Sequence, residues 1–553
     1  MPALMSAFHP RNELETHSVT NQPPPFEDVN LFTSDVALQE AVSRAGGAAH
    51  AARLGAFGAR AGSAEVAEWA MQANRNAPQL RDFDRYGGRI DEVEYHPAYH
   101  QLMALGLDAG IAASAWNGTE AGHVLHTAIE FLMAQAEAGV CCPMTMTYAA
   151  LPALRHQPDV AAVWESRILA SKYDPASRPA SEKAGVTIGM AMTEKQGGSD
   201  VRANTTRAVR NTDGSYTLTG HKWFCSAPMC DAFLTLAYTD NGLSCFLAPR
   251  WTPAGERNAI HVMRLKDKLG DRANASSEIE YHGAYAQMVG EEGRGVRTII
   301  EMVQHTRLDC ILAPAAYMRQ AVANAAWHAA HRTAFQKKLI DQPLMRAVIA
   351  DMAIESEAAT ALTFRIAQSF DAAEHSPMAA AFMRIATPVA KYWLNKRVVN
   401  LIYEAMEAHG GAGYVEESVM PRLYRQSPVN SIWEGSGNVI CLDVLRAMMK
   451  EPDSVAAFVD ELEAAYGENK ALDARIDAIK NRVVQPPPER DARHLVEQMA
   501  LALQAAVLQR HGPAAVADAF CATRLADSPG FVYGGSGVHF DVDAILARAM
   551  PGR

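Results

Sequence analysis

The sequence predicts an α+β fold that is mainly α-helical, and three observations carry that reading. Segments rich in Ala, Leu, Ile and Met repeat at helical spacing up to about residue 185 and again from about residue 296. Between them, short alternating runs are punctuated by Asp213-Gly214 and Asn241-Gly242, dipeptides that close tight hairpins. The 553 residues, 49% hydrophobic and 20% charged, are enough for several domains around a large core.

In chain order, residues 1–30 read as an N-terminal arm, because Pro23-Pro24-Pro25 forbids a helix there. Residues 31–188 form an α domain, with helical periodicity clearest in Ala64–Met71 and Val124–Met133. Residues 189–292 form a middle antiparallel β domain, with strands expected at Ser215–Thr219, Phe233–Tyr238 and Cys245–Leu247. Three long periodic segments, Val296–Thr333, Leu344–Glu374 and Met378–Ala408, make a helical bundle over 293–450, and Gly410-Gly411 stops the last of them. A further helical domain, broken once at Pro486-Pro487-Pro488, fills 451–553.

The net charge of −11 argues against a uniformly basic surface made for polyanions. Eight cysteines are scattered without a CxxC pair or zinc spacing, so they read as buried thiols of a reducing compartment, and no metal is expected. Met1 to Glu15 lacks the apolar core of a signal peptide, and no run reaches the ~20 apolar residues that span a bilayer. A cytoplasmic protein is expected.

The stretch that carries chemistry is Pro428 to Asn438, which sets Glu434 beside Trp433 and ahead of Gly435-Ser436-Gly437 and an apolar helical run. Apolar neighbours Ile432 and Trp433 raise a carboxyl's pKa by desolvation, while the first turn of the following helix lowers it; the balance makes a tunable base. Ser436 or Asn438 can cap that helix, and the glycines admit a ligand to the backbone. The plainer reading is a capped helix with a chance acid before it. A second candidate, Met192 to Asp200, sets Gly197-Gly198 between hydroxyls that suit a phosphate or a flat heterocycle. A third, His221 to Ser226, places Trp223 and Phe224 near a hydroxyl at a strand end; a fourth is Arg332-Thr333-Ala334-Phe335 with Gln342. Walker, HExxH, strand-GxGxxG and GxSxG patterns are missing, which removes support for nucleotide hydrolysis, zinc proteolysis, a Rossmann site and serine hydrolysis.

In this order, Thr193-Glu194 with Gly198-Ser199-Asp200, Lys222 with Phe224-Cys225-Ser226, Lys268-Leu269-Gly270, Arg332-x-x-Phe335 with Gln342, Gly410-Gly411-Ala412-Gly413-Tyr414 and Trp433-Glu434-Gly435-Ser436 resemble the acyl-CoA dehydrogenase family over roughly residues 30–450. The resemblance implies the family's α domain, β domain and α bundle, with FAD as cofactor. It implies that Glu434 removes a proton alpha to a thioester carbonyl while the beta hydrogen leaves as hydride to the flavin. It assigns FAD contacts to Met192, Thr193, Gly198, Ser199, Phe224, Cys225, Ser226, Trp433, Ser436 and Asn438. Arg332, Phe335, Gln342, Gly410 and Gly411 would hold the FAD of a neighbouring subunit, which implies a dimer or, as a dimer of dimers, a homotetramer.

Four departures from the wider family, Trp433 for tyrosine, Lys195-Gln196-Gly197-Gly198 for Pro-Gly-Ala-Gly, Ala227 for asparagine and Glu407 for glutamine, agree with the branch tied to the bacterial response to DNA alkylation. That resemblance implies a flavoprotein that protects DNA, by shielding it or by removing the alkylating agent, with weak acyl-CoA dehydrogenase activity. The alternatives are a metabolic dehydrogenase of short or branched acyl-CoA and a DNA-coating protein in which FAD only supports the fold. Non-specific double-stranded DNA contacts are expected from Arg446, Lys450, Lys480, Arg482, Arg490, Arg493, Arg510 and Arg524. Residues 445–553 hold 12 Lys and Arg against 15 Asp and Glu, so any basic stripe there must come from sorting charge by helix face.

Overall fold

The computed structural model describes residues 11–525 and 530–551. The first ten residues of the expected arm lie outside the described residues.

The chain opens with α1 (Val36–Val42), α2 (Ala51–Ala61) and α3 (Ala64–Arg75), a hairpin of β1 (Gln79–Phe83) and β2 (Arg89–Glu94), then α4 (Pro97–Asp108), α5 (Gly122–Ala136), α6 (Cys141–Leu154) and α7 (Pro158–Ile168). Side-chain caps set several starts: Asp35 accepts from Leu38 N before α1, and Ser63 accepts from Val66 N before α3. α5 is buried along its whole length, its apolar residues together with polar ones such as His126 and Glu130, and becomes the axle of this layer. The β1–β2 hairpin interrupts a stretch that reads as wholly helical. β1 alternates exposed and half-buried residues, and β2 buries only Asp91 and Val93, too weak an apolar signal to register among helices.

Strands β3 (Ile188–Ala191), β4 (Arg207–Arg210), β5 (Tyr216–Ser226), β6 (Ala232–Thr239), β7 (Gly242–Pro249), β8 (Ile260–Leu265) and β9 (Ser276–Val289) follow. Asp213-Gly214 and Asn241-Gly242 close the β4–β5 and β6–β7 hairpins as expected. The sheet is mostly antiparallel, but β3 and β4 pair with β6 in parallel. The pairings β6–β4–β5–β9–β7–β6 run in a closed circuit, which leaves its members no open edge. A register shift between Lys222 and Cys225 takes Trp223 and Phe224 out of the β5–β9 ladder.

The helical bundle is α8 (Gly295–His331), a two-residue hairpin of β10 (Thr333–Ala334) and β11 (Lys337–Lys338), α9 (Pro343–Ala372), α10 (Pro377–Ala408), α11 (Val419–Gln426) and α12 (Gly437–Lys450). Then come α13 (Pro452–Glu463), α14 (Lys470–Val484), α15 (Ala492–His511), α16 (Ala514–Arg524) and α17 (Val542–Ala549). These last helices pack into the bundle. α15 carries an almost unbroken buried run from Met499 to Leu508, and ion pairs tie the region down: Arg524 to Asp351 at 2.6 Å and Glu355 at 2.9 Å, Arg365 to Glu461 at 2.6 Å, and Arg548 to both Glu40 and Glu357 at 2.6 Å. Among the described residues, no helix is long and apolar enough to cross a membrane.

Candidate active site

Glu434 sits in a turn that the rest of the bundle holds open. Its φ is 55° and that of Gly435 is 104°, left-handed conformations that a non-glycine residue keeps only when its surroundings over-determine them. Lys391, on α10, donates to the carbonyls of Trp433 at 2.9 Å and Gly435 at 2.7 Å. Arg307, on α8, donates from Nε to the Glu434 carbonyl at 3.1 Å and is itself anchored to Asp443 at 2.8 Å. The Trp433 indole N–H donates to Asn430 at 2.7 Å. Two buried cations therefore hold the backbone carbonyls of residues 433 to 435 and leave Oε2 of Glu434 without a partner.

The side chain is set for proton transfer. Its Oε2 is sealed from solvent and has no hydrogen-bond partner. Burial raises the Glu434 carboxyl above the usual carboxylate range, against the pull of the Thr306 hydroxyl, Arg307 and Lys391. Desolvation thus wins, and the opposing groups come from α8 and α10. Ser436 stands at the N-cap of α12, but its hydroxyl makes no capping bond, and Asn438 is exposed. The expected cap is missing, so the α12 N-terminus keeps free N–H groups.

A second set of candidate residues is built on the sheet. Trp223 N donates to the Thr193 carbonyl at 2.8 Å, which seats the Met192–Ser199 loop beside Phe224 and Ser226. The loop is braced from below by a fully buried ion pair, Lys222 to Glu194 at 2.9 Å. Burial alone would raise the Glu194 carboxyl, but Lys222 and donors from Thr205 and Thr206 hold it down at about 2. Thr193, Met192 and Ser226 are half-buried, Gly198 and Ser199 exposed, and Phe224 is 48% exposed. Cys225 corrects the sequence reading: the register shift after Lys222 turns its side chain into the core, where it is fully buried, so the thiol cannot face a ligand.

The third set gathers elsewhere. Arg332 closes α8 and donates to the Asn21 carbonyl, while Gln342 donates to the Ala334 carbonyl at 2.9 Å and braces the β10–β11 hairpin. Phe335 stands on that hairpin at φ 52° with 92% of its surface exposed. Gly410 and Gly411 are open: a Cβ at either would meet nothing within 4 Å. A cavity of about 1470 Å³ runs past them, lined also by the Gln22–Phe26 arm, Trp327, His328, Arg332 and Glu407.

The eight basic residues named for DNA do not share one situation. Arg446, Lys450, Arg482 and Arg490 are exposed. Lys480 is paired with Glu463, and Arg510 lies 3.5 Å from Glu461. Arg524 must be withdrawn as a phosphate contact, because its side chain is 9% exposed and held by Asp351 and Glu355. Arg493 lies against the α12 N-terminus, with a guanidinium nitrogen 3.4 Å from where a Cβ on Gly437 would sit and Lys396 Nζ at the same distance. Sequence reasoning missed Lys391, Lys396 and Arg307, which are far from Glu434 in the chain and carry no local motif.

These surroundings fit a flavin dinucleotide. An uncapped helix start flanked by Lys396 and Arg493 suits a diphosphate, and hydroxyls at Thr193 and Ser226 suit the edge of a heterocycle. Comparison with known proteins agrees. Residues 21–175 match the family model of the adaptive response protein AidB N-terminal domain, residues 189–284 the acyl-CoA dehydrogenase middle domain, and residues 293–449 the acyl-CoA dehydrogenase C-terminal domain. The chain is 45% identical over 517 residues to AidB of Escherichia coli (strain K12), covering 92% of this chain and 95% of the relative. The chain belongs to the AidB branch of the acyl-CoA dehydrogenase family. A structure of Caenorhabditis elegans ACDH-11 in complex with C11-CoA superposes with a TM-score of 0.83 at 26% identity, covering 98% of this chain and 94% of that one. A Bacillus anthracis acyl-CoA dehydrogenase complexed with FAD shares the fold at a TM-score of 0.62 and 18% identity, covering 77% of this chain and 80% of that one. Members of the family are FAD-dependent oxidoreductases that act on CH–CH bonds, and FAD is the cofactor of this fold.

Proposed function

We propose that this chain is an AidB-type flavoprotein that oxidises the alpha–beta bond of an acyl thioester, with Glu434 as the base. The observation that carries the reading is the Glu434 carboxyl: sealed from solvent and unpartnered at Oε2, raised in pKa by burial, and carried on a turn whose backbone carbonyls Lys391 and Arg307 hold. FAD, when bound, supplies the hydride acceptor. Thr193, Ser199 and Ser226 would donate to its polar edge, Phe224 and Trp433 would flank the ring, and Ser436 and Asn438 would meet it from the α12 side. Glu434 takes the proton alpha to the carbonyl, and the sealing of its Oε2 from solvent keeps water from competing for it. The substrate class rests on the C11-CoA bound by the ACDH-11 relative. Titrating the FAD-loaded protein with short and branched acyl-CoAs tests it: flavin bleaching by at least one of them, slowed at least ~1000-fold in Glu434→Gln with FAD retained, is the expected result. A flavin that no acyl-CoA bleaches overturns it.

The biological setting we infer is protection of DNA from alkylation, supported by the likeness to E. coli AidB and by the exposed Arg446, Lys450, Arg482 and Arg490. Binding through these residues is non-specific and salt-sensitive. Charge reversal of all four should lower duplex affinity at low salt by at least ~10-fold and flatten the salt slope by about four; an unchanged slope rejects this surface.

A further inference from the structure

Away from Glu434 and the FAD contacts, the structure brings together a second set of reactive groups that the reading above leaves unused. His126 and Glu130, one turn apart on α5, face Asp309 on α8, and one ligand-capable atom from each lies within 4.8 Å of the others. All three are buried, and the imidazole is fully enclosed. Two carboxylate oxygens, Glu130 Oε2 and Asp309 Oδ2, have no hydrogen-bond partner although neither touches solvent. Leaving two such oxygens bare costs several kcal/mol unless a cation or protons meet them.

We propose that His126, Glu130 and Asp309 form a site for one divalent first-row metal ion of the Zn²⁺ or Mn²⁺ class, at the centre of the helical core. The imidazole is set for this. Its Nδ1 is 2.7 Å from the Ile111 carbonyl and donates to it, so Nε2 is the nitrogen aimed at the carboxylates; without an ion Nε2 donates a proton to Asp309, and an ion that displaces that proton takes the Nε2 lone pair. Nε2 lies 2.9 Å from Asp309 Oδ1 and 3.7 Å from Glu130 Oε2. Donors bound to one metal at about 2.0–2.2 Å sit roughly 2.9–3.5 Å apart, so the three groups need little movement to share an ion. The supporting contacts are of the kind that orient metal ligands: Thr145 donates to Glu130 Oε1 at 2.6 Å, and the Tyr148 ring stacks on the imidazole with centroids 3.6 Å apart. Once an ion displaces the Nε2 proton, the neutral imidazole with two carboxylates carries −2, which a divalent cation cancels. A nitrogen and carboxylate donor set without thiolate matches Zn²⁺, Mn²⁺ or Fe²⁺ better than a soft ion.

An ion here clamps α5 to α8, with α6 joined through Thr145. It is a structural site, because its ligands are sealed inside the core and Glu434 is held by other groups. Among the described residues this is the one group of three or more His, Cys, Asp or Glu side chains with such spacing.

The test is the metal content of the untagged, full-length flavoprotein, purified from cells grown separately with added zinc, manganese and iron salts, then desalted in EDTA to strip surface ions. About one ion per chain is expected, falling below about a tenth in Glu130→Gln and in Asp309→Asn, which keep side-chain volume and the Thr145 bond. Less than about a tenth of an ion in wild type under all three supplements overturns the site and leaves the carboxylates to share protons; so does an ion retained in both variants. If neither variant folds, X-ray absorption at the metal edge of the wild-type protein decides: a nitrogen and oxygen shell at about 2.0–2.2 Å supports the site, and a sulfur shell or no ion overturns it.

Discussion

Lys391 shows how much of this active site is made by residues with no contact to the reacting bond. Its ammonium is buried on α10 and donates to the carbonyls on either side of Glu434, so it pins the one turn in which a glutamate adopts φ 55°. Lys391→Met keeps the volume and removes two charged donors, each worth about 1.5–3 kcal/mol in a dry setting. We expect acyl-CoA bleaching to slow by roughly 10- to 100-fold with little change in substrate KM, since a misplaced base costs turnover more than binding. The pH profile supplies a second readout. Glu434 must be ionised to act as a base, and burial raises its carboxyl, so activity should rise with pH through a limb lying above the ordinary glutamate range. Lys391 and Arg307 oppose that rise, so losing Lys391 should move the limb to higher pH. A limb that stays put while the rate falls would make Lys391 a packing residue only.

At the scale of elements, the chain's texture was largely legible and its closures were not. Unbroken apolar periodicity marks α8, α9 and α10 to within a residue or two, and Asn241-Gly242 marks the β6–β7 turn, because local sequence dictates both. Parallel pairing of β3 with β6 and the closed strand circuit depend on partners tens of residues away and leave no local trace. The sequence marks Glu434 as a carboxyl raised by its neighbours, and burial does raise it, but Lys391 and Arg307 beside it leave no local signal, and Arg524 reads as a surface charge only until its partners on α9 are seen. There, Glu355 bridges Arg397 at 3.0 Å and Arg524 at 2.9 Å, and so joins α9, α10 and α16. Burial alone would raise the Glu355 carboxyl, yet the two guanidiniums hold it at about 2. A carboxyl depressed in the folded chain adds stability that is complete above its unfolded value near 4.5 and is lost as pH falls toward 2. The stability gap between wild type and Glu355→Gln should therefore be widest above pH ~4.5, on the order of 3 kcal/mol or more, and narrow through pH ~2. Denaturant unfolding at pH 6, 4 and 3 measures it, and a gap independent of pH would show that the ion network adds nothing beyond packing.

At the scale of the whole molecule, the two sets of residues proposed for FAD lie too far apart to serve one cofactor within one chain. Arg307 supports Glu434 from α8, while Arg332 caps the same helix 25 residues later, beside Phe335 and the open Gly410-Gly411 turn. At 1.5 Å per residue the separation along the axis is roughly 37 Å, beyond the span of a flavin dinucleotide. We propose a two-fold pair, in which an isologous interface would set the Glu434 site of one subunit against the Arg332 and Gly411 cradle of the other and repeat the arrangement by symmetry. Mixing two inactive variants tests this. Glu434→Gln keeps the cradle and loses the base, whereas a Gly411→Asp, Arg332→Glu double variant keeps the base and loses the cradle. In a mixed pair, one site draws both defects and the other draws neither. Co-expression at equal levels makes mixed pairs about half of all pairs, each with one intact site, so about a quarter of wild-type acyl-CoA bleaching should return. If FAD were held within a single chain, every mixed pair would carry one defect per site and no activity would return.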